Sequence, residues 1–460
     1  MDELAFLTAT EQAELVRAGK VTPVELVETY LERIERLNPE LNAFVTVCGD
    51  EALAAAAARE LPDGPLRGVP FPIKDLQETA GIRTTFSSRA YADCVPDFDV
   101  AVVRRLKEAG VVVIGKTNTP EFGITAVTES QLNGVCRNPW DTSRTPGGSS
   151  GGAAVAVAAG LAPAAHGTDG GGSIRIPASC CGVFGLKPAR GRVSLAPYGG
   201  HEGFSTSGPL TRSVLDAAVL LDVLAGYETG DPWWLAPPAR PFAEEAGAEP
   251  GRLRVALTTT PPIDAPVAPE CVAAAEDAAA LLGGFGHEVE EATPPWSDGR
   301  LLDLFMTVWK VIPGMRGKPR ELLEPMNQVL LDAGDEIGAV DYVNATQELR
   351  GWARRVVAFW NDYDLVLTPT LAQLPPPIGA LMDETDPWGN FDKAWRFTPF
   401  TQVANVTGLP AASLPLYWSE HGLPIGSQLI GRPADEATLL RVSAQLEAAR
   451  PWRDRRPPVS

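Results

Sequence analysis

The chain has 460 residues, 45% hydrophobic and 21% charged, a globular composition that is neither disordered nor fibrous. Its 39 Lys and Arg face 58 Asp and Glu, a formal charge of −19, and with no basic cluster to offset it nucleic acid is not an expected partner. The longest apolar run, residues 153–165, falls short of the roughly 20 residues that span a bilayer, so no membrane association is expected.

The N-terminus shows no basic leader ahead of an apolar run, and a cytoplasmic location is the expectation. Two helices open the chain. Thr10 is positioned to cap the first, and Thr22-Pro23-Val24-Glu25 is a capping box that starts the second, which runs to about Leu37. Val24, Val27, Leu31 and Ile34 give that helix an apolar face. "LRGVPFPIKDL" (66–76) reads as a short buried strand ending at Lys74. "DVAVVRRLKEAG" reads as a helix stopped by Gly110, and "VVVIGKTN" as an all-apolar strand. That order predicts an α/β sheet buried on both faces.

"SVLDAAVLLDVLAG" reads as a helix, and the Pro-, Gly- and charge-rich stretch 228–250 as a boundary before the strand "RLRVALTTT". Helical segments over 268–362 are expected to form a cap or insertion. "YDLVLTPTL", "NVTGLPAASLPL" and "PIGSQLIG" then return strands that complete the main sheet. The six cysteines (48, 94, 136, 180, 181, 271) have neither metal spacing nor disulfide-framework density, and read as reduced buried thiols.

The densest signal is "PGGSSGGAAVAVAAGLAPAAHGTDGGGSIRIPAS" (146–179). A Ser-His-Asp triad would need one of His166, His201, His287 or His421, and no GxSxG elbow precedes any of them. His166 alone lies near the glycines, and a structural hydrogen bond suits it better than a role as general base. No HxxH or HExxH spacing supports a metal site. "TPGGSSGG" and "TDGGGSIR" match neither phosphate nor dinucleotide loops, so no cofactor is expected. A serine system without histidine remains. Glycines before Ser173 let backbone N–H groups converge beside its hydroxyl, the arrangement of an oxyanion hole.

"GGSSGG", "GTDGGGSIRIPAS" and "FGLKPARGRVS" resemble the amidase signature family. So do "PFPIKDL", "GKTNTPEFG", "NPWDTSRTPGGSSGG", "VANVTGLPAASLPL" and "GLPIGSQLIGRPADEATLL" along the rest of the chain. The resemblance implies a large mixed, twisted β-sheet covered on both sides by helices, with a helical cap. Four segments are expected in one catalytic domain: helical 1–65, signature core 66–240, cap 241–362 and core completion 363–460. It also implies a Ser–cis-Ser–Lys triad of Ser173, Ser149 and Lys74, with Ser149 after a cis peptide. Gly170, Gly171, Gly172 and Ser173 would line the oxyanion hole, and Ser150, Thr168, Asp169 and Arg175 would support the loops.

Lysine takes a proton only when neutral, so burial must bring it from about 10.4 to near 7. The apolar approach "GVPFPI" is suited to that. Lys116 and Lys187 also follow apolar segments, and are expected to bond loop carbonyls instead. Ser150 rivals Ser149 for the bridging place.

The implied activity is hydrolysis of amide C–N bonds through an acyl-enzyme, extending to carbamates and esters. The implied partner is a small-molecule amide or carbamate, and the implied state a monomer or homodimer. A glutaminase subunit of a tRNA-dependent amidotransferase and a non-catalytic binding protein are the alternatives. Leu304, Phe305, Val308, Trp309 and Ile312 form a helical stripe that is either core or a lid over the acyl pocket. Phe305 and Trp309 are the pocket candidates, and segments 84–91 and 368–377 its possible rims. No charged group is clearly poised for substrate, which favours a neutral, hydrophobic or aromatic one.

Overall fold

The capping box at Thr22 closes in both directions. Its side chain accepts from the Glu25 N–H, and Glu25 Oε2 accepts from the Thr22 N–H at 2.7 Å. The helix Pro23–Leu41 runs one turn beyond Leu37 and stops where Asn42 turns left-handed, at φ 50°. The helix before it departs from expectation, because Thr8, not Thr10, caps Ala9–Arg17. The N–H groups of Ala9 and Thr10 donate instead to the buried Asp216 carboxylate, at 2.7 and 3.0 Å. The computed structural model in which these contacts are seen describes residues 2–58, 61–200 and 203–460; His201 lies outside them.

Three sheets organise the chain. The strand–helix–strand unit read from sequence forms a small one of β1 (Phe44–Val47), β2 (Pro70–Lys74) and β3 (Val112–Thr117), in the order β1-β3-β2. β2 and β3 are parallel, joined over the helix Ala101–Glu108. A two-stranded ribbon, β4 (Glu129–Ser130) and β5 (Gly134–Val135), follows.

The main sheet is mixed and has eight strands. They are β6 (Ala164–Asp169), β7 (Phe184–Lys187), β8 (Thr206–Thr211), β9 (Arg254–Leu257), β10 (Glu288–Glu291), β11 (Leu365–Pro369), β12 (Ala411–Trp418) and β13 (Pro424–Gly431). Their order is β10-β9-β11-β13-β12-β7-β8-β6. The first three strands in that order are parallel and the rest antiparallel.

The expected fold class is borne out, and the period-2 alternation of strands explains how both faces are covered. Leu365 and Leu367 pack into one core with the helices Val214–Leu224 and Glu436–Ala449. Val366 points the other way, into a core with the helices Leu301–Trp309 and Ala339–Val357. The segment 241–362 is therefore not wholly a cap: it lends β9, β10 and the helix Pro269–Gly284 to the main sheet.

Among the described residues no helix is long and apolar enough to cross a membrane. The six cysteines are free, and all but Cys94 are buried.

Where residues 301–361 meet the signature core, two carboxyls are buried together. Glu121 accepts from the Glu324 N–H at 2.8 Å and from Asn327 at 2.6 Å, while Glu324 accepts from the Gln131 N–H at 2.7 Å. Burial, followed by the charge of Glu121, pushes the Glu324 carboxyl up to about 8. The folded protein thus keeps a proton that the unfolded chain releases near 4.5. This contribution to stability is complete at low pH and is lost as pH rises through about 8. The unfolding midpoint, followed by circular dichroism from pH 5 to 9, should decline, and Glu324→Gln should flatten that decline. An unchanged slope in the variant would exclude Glu324 as its source.

Candidate active site

β6 is the last strand of the main sheet, and β2 packs beside it. Lys74, the last residue of β2, therefore reaches Thr168 on β6. It is wholly buried, and its Nζ donates to Ser149 Oγ at 2.7 Å, Ser150 Oγ at 2.8 Å and Thr168 Oγ1 at 2.9 Å. Three hydroxyls and no carboxylate surround the nitrogen. Each hydroxyl can turn to donate or accept, so the same triangle accommodates an ammonium or a neutral amine. Burial drives the lysine well below its usual range, opposed by the Asp169 charge.

Lys116 makes an instructive contrast. It is equally buried and donates to Thr79 and Thr84, both at 3.0 Å, but also to the Gln77 carbonyl, which can only accept. Burial lowers it to about 8. Lys187 donates to the Pro188 carbonyl at 2.8 Å. Both have the carbonyl partners expected of structural lysines.

The Gly148–Ser149 peptide is cis. Ser150 opens the buried, alanine-rich helix Gly151–Ala158. Its hydroxyl bonds the Thr168 backbone, donating to the carbonyl at 3.2 Å and accepting from the N–H at 3.3 Å, and its own N–H donates to the Ser173 carbonyl at 3.1 Å. Ser150 thus ties the two glycine loops together, while Ser149 Oγ has Lys74 as its partner. Gly152 is required there by space, since a Cβ would sit 2.4 Å from the Asn118 nitrogen.

The second loop is built around Asp169. Its carboxylate accepts from Gly172 N–H (2.8 Å), Ile174 N–H (3.1 Å), Arg175 (2.9 and 3.0 Å) and Asn405 (2.8 Å). Burial alone would raise this carboxyl, but Arg175 reverses the effect and holds it at about 2. Arg175 also donates to Thr401 O (2.7 Å), Gln428 (2.6 Å) and Asn405 (2.7 Å).

Gly172 departs from its expected part, because its N–H is engaged by Asp169. The N–H groups of Gly170, Gly171 and Ser173 have no partner among the described residues. Gly172 is required for its conformation: φ is +129°, and a Cβ would meet Thr401 Oγ1 at 2.3 Å.

Ser173 is 7% exposed, its hydroxyl has no partner among the described residues, and it lines a narrow cavity of about 50 Å³ with Gly171. The walls are apolar: Ile176, Phe305, Met306, Trp309, Phe391 and Trp395. Phe305 stacks on Trp309 at 5.1 Å and meets Trp395 edge-on at 5.0 Å. Thr125, Thr398 and Gln402 are the polar side chains beside Ser173, and no charged residue lines the space. Phe305 and Trp309 are where sequence placed them, and the stripe is both core and wall, since Val308 and Ile312 are buried in the same cluster. Segments 84–91 and 368–377 contribute nothing to this cavity.

Phe391, Trp395, Thr401, Asn405 and Gln428 escape the sequence reading. Two quoted signals include members of this set, "NVTGLPAASLPL" with Asn405 and "PIGSQLIG" with Gln428. His166 also differs from expectation. It is buried with both ring nitrogens unpartnered among the described residues, and burial, then Lys74 and Lys116, lower it to about 3.

A family model described as Amidase matches residues 25–440. An acylamidase of Rhodococcus erythropolis is 34% identical, covering 99% of this chain and 98% of the relative. A solved structure of 6-aminohexanoate cyclic dimer hydrolase complexed with substrate superposes with a TM-score of 0.95 at 38% identity, covering 99% of both chains. A glutamyl-tRNA(Gln) amidotransferase subunit from Thermotoga maritima superposes less well, with a TM-score of 0.79 at 30% identity over 97% of this chain and 96% of that one.

Proposed function

We propose that this chain, which belongs to the amidase signature family and hydrolyses amides, does so through a serine acyl-enzyme, with Ser173 as nucleophile, Ser149 as proton relay and Lys74 as base. One observation carries the reading: a buried lysine held only by hydroxyls is joined at 2.7 Å to Ser149, beside a serine that faces an apolar cavity. Neutral Lys74 draws the Ser149 proton as Ser149 takes that of Ser173, and Ser173 Oγ bonds to the substrate carbonyl carbon. The N–H groups of Gly170, Gly171 and Ser173 hold the developing oxyanion. The proton returns through Ser149 to the leaving amine, the C–N bond breaks, and water repeats the attack on the ester to release the acid. The same oxyanion geometry serves carbamate and ester carbonyls.

The aromatic walls suit a neutral, aromatic or aliphatic acyl group. The amidotransferase reading has no comparable support, since the closer structural likeness is to the cyclic dimer hydrolase.

The reading is tested on anilides, a primary amide, an ester and an N-aryl carbamate. A pre-steady-state burst should accompany an acyl adduct on the peptide that contains Ser173. An adduct elsewhere, or none on any substrate that turns over, overturns it. The pH profile follows from Lys74. Protonation removes the base, so kcat/KM should fall on the acid side, and the midpoint should lie well below 10.5. A rate still climbing at pH 10 would exclude a buried, depressed lysine as the base.

A further inference from the structure

From the end of the cavity-wall helix Leu301–Trp309, residues 313–324 cross over three rings of the signature core. The Arg316 guanidinium lies 4.5 Å from the Phe86 centroid and 5.8 Å from that of Phe122, and the Lys318 ammonium lies 4.4 Å from that of Tyr91. Tyr91 packs edge-on against both phenylalanines, at 4.9 and 6.2 Å.

Neither cation has a carboxylate or hydrogen-bond partner among the described residues, in a chain of net charge −19. Neither is what anchors the segment. Tyr91 donates to the Arg316 carbonyl, Arg89 donates to the carbonyls of Glu321 and Leu323, and Glu324 closes on Glu121. Arg320, on the same segment, is paired with Asp332 at 2.6 Å. The nearby Glu78 accepts from Tyr198 at 2.9 Å. A cation seated on a ring keeps its other side open to an anion.

Neither cation lines the cavity itself; the link to it runs through Phe122. Phe122 immediately precedes Gly123 and Ile124, which line the cavity, and the Trp309 indole donates to the Ile124 carbonyl at 3.1 Å. With about 3.8 Å between successive Cα atoms, the Arg316 guanidinium falls on the order of 10–15 Å from that wall. We infer that Arg316 and Lys318 form a cationic rim subsite for a carboxylate carried by the substrate at its end remote from the scissile amide. This rests on the acyl-enzyme reading for the position of the scissile bond, and adds a polar end to a substrate whose reacting part is apolar.

The experiment compares two anilides of matched length, one with a methyl-terminated acyl chain and one with a carboxylate-terminated chain. In the double variant Arg316→Gln/Lys318→Gln, the ratio of kcat/KM for the carboxylated over the methyl-terminated anilide should fall about tenfold, mainly through KM. Salt should lower the same ratio in the wild type. An unchanged ratio overturns the subsite, and so does an equal loss on both substrates.

Binding separates this from the reaction chemistry. Calorimetry of the carboxylated anilide on Ser173→Ala, with and without the two glutamines, reads the subsite even where turnover fails. Affinity that ignores the glutamines, in protein with an unchanged circular dichroism spectrum, overturns it independently of the acyl-enzyme.

Discussion

Ser173→Ala should lower kcat/KM on a neutral anilide by about 10⁴- to 10⁶-fold while leaving the unfolding midpoint in place. The two halves of this result are linked by geometry. The Ser173 hydroxyl has no partner among the described residues, so alanine orphans no buried donor or acceptor. A substitution of that kind costs folding roughly 0.5 kcal/mol or less. Catalysis, on the proposed acyl-enzyme route, loses the atom that would bond the carbonyl carbon. Any residual rate would come from the N–H groups of Gly170 and Gly171 and from substrate binding. Activity within tenfold of wild type would remove Ser173 from the mechanism, and a large drop in the midpoint would mean that its hydroxyl supports the loop instead.

Asp169→Ala should have the largest effect on stability, about 3–5 kcal/mol, with loss of turnover. The Asp169–Arg175 pair is completely buried, and the carboxylate also receives the N–H groups of Gly172 and Ile174. Removing it strands a guanidinium and two loop amides out of water, where water cannot repay them. Arg175→Met in the same chain removes the stranded charge, so the double variant should be less destabilised than the two single effects together. Simple additivity in urea unfolding would argue that the two side chains do not act as a unit.

What could be read from sequence is what lies close along the chain. Lys74 at the end of an apolar strand, two serines between glycines and Ser173 after a glycine run are all visible in short windows. Three things were not visible there, for different physical reasons. "GGGS" presents its glycines as equals, and only the fold shows the Asp169 carboxylate reaching three residues on to occupy Gly172. Thr10 looks like a cap, but Asp216, 206 residues away, is the better acceptor for that helix end. Phe391 and Trp395 have the spacing of any buried helix face, so periodicity cannot tell a cavity wall from core. His166 shows the opposite limit: its neighbours in sequence suggested a bond that the strand does not supply.

The clamp on the second glycine loop also sets when this enzyme comes into being. Thr401 donates to the Gly171 carbonyl at 2.7 Å, Asn405 to the Asp169 carbonyl at 3.0 Å, and Gln428 accepts from Arg175. Lys74, Ser149 and Ser173 are all made in the first 173 residues, yet the loop that carries Ser173 gains these contacts only once residue 428 has been added. A nascent chain on the ribosome would hold all three groups of the proposed triad for more than half of its synthesis before the loop that carries Ser173 is fully clamped. Truncation ahead of residue 401 removes all three contacts, and such a product is expected to be inert in the anilide assay.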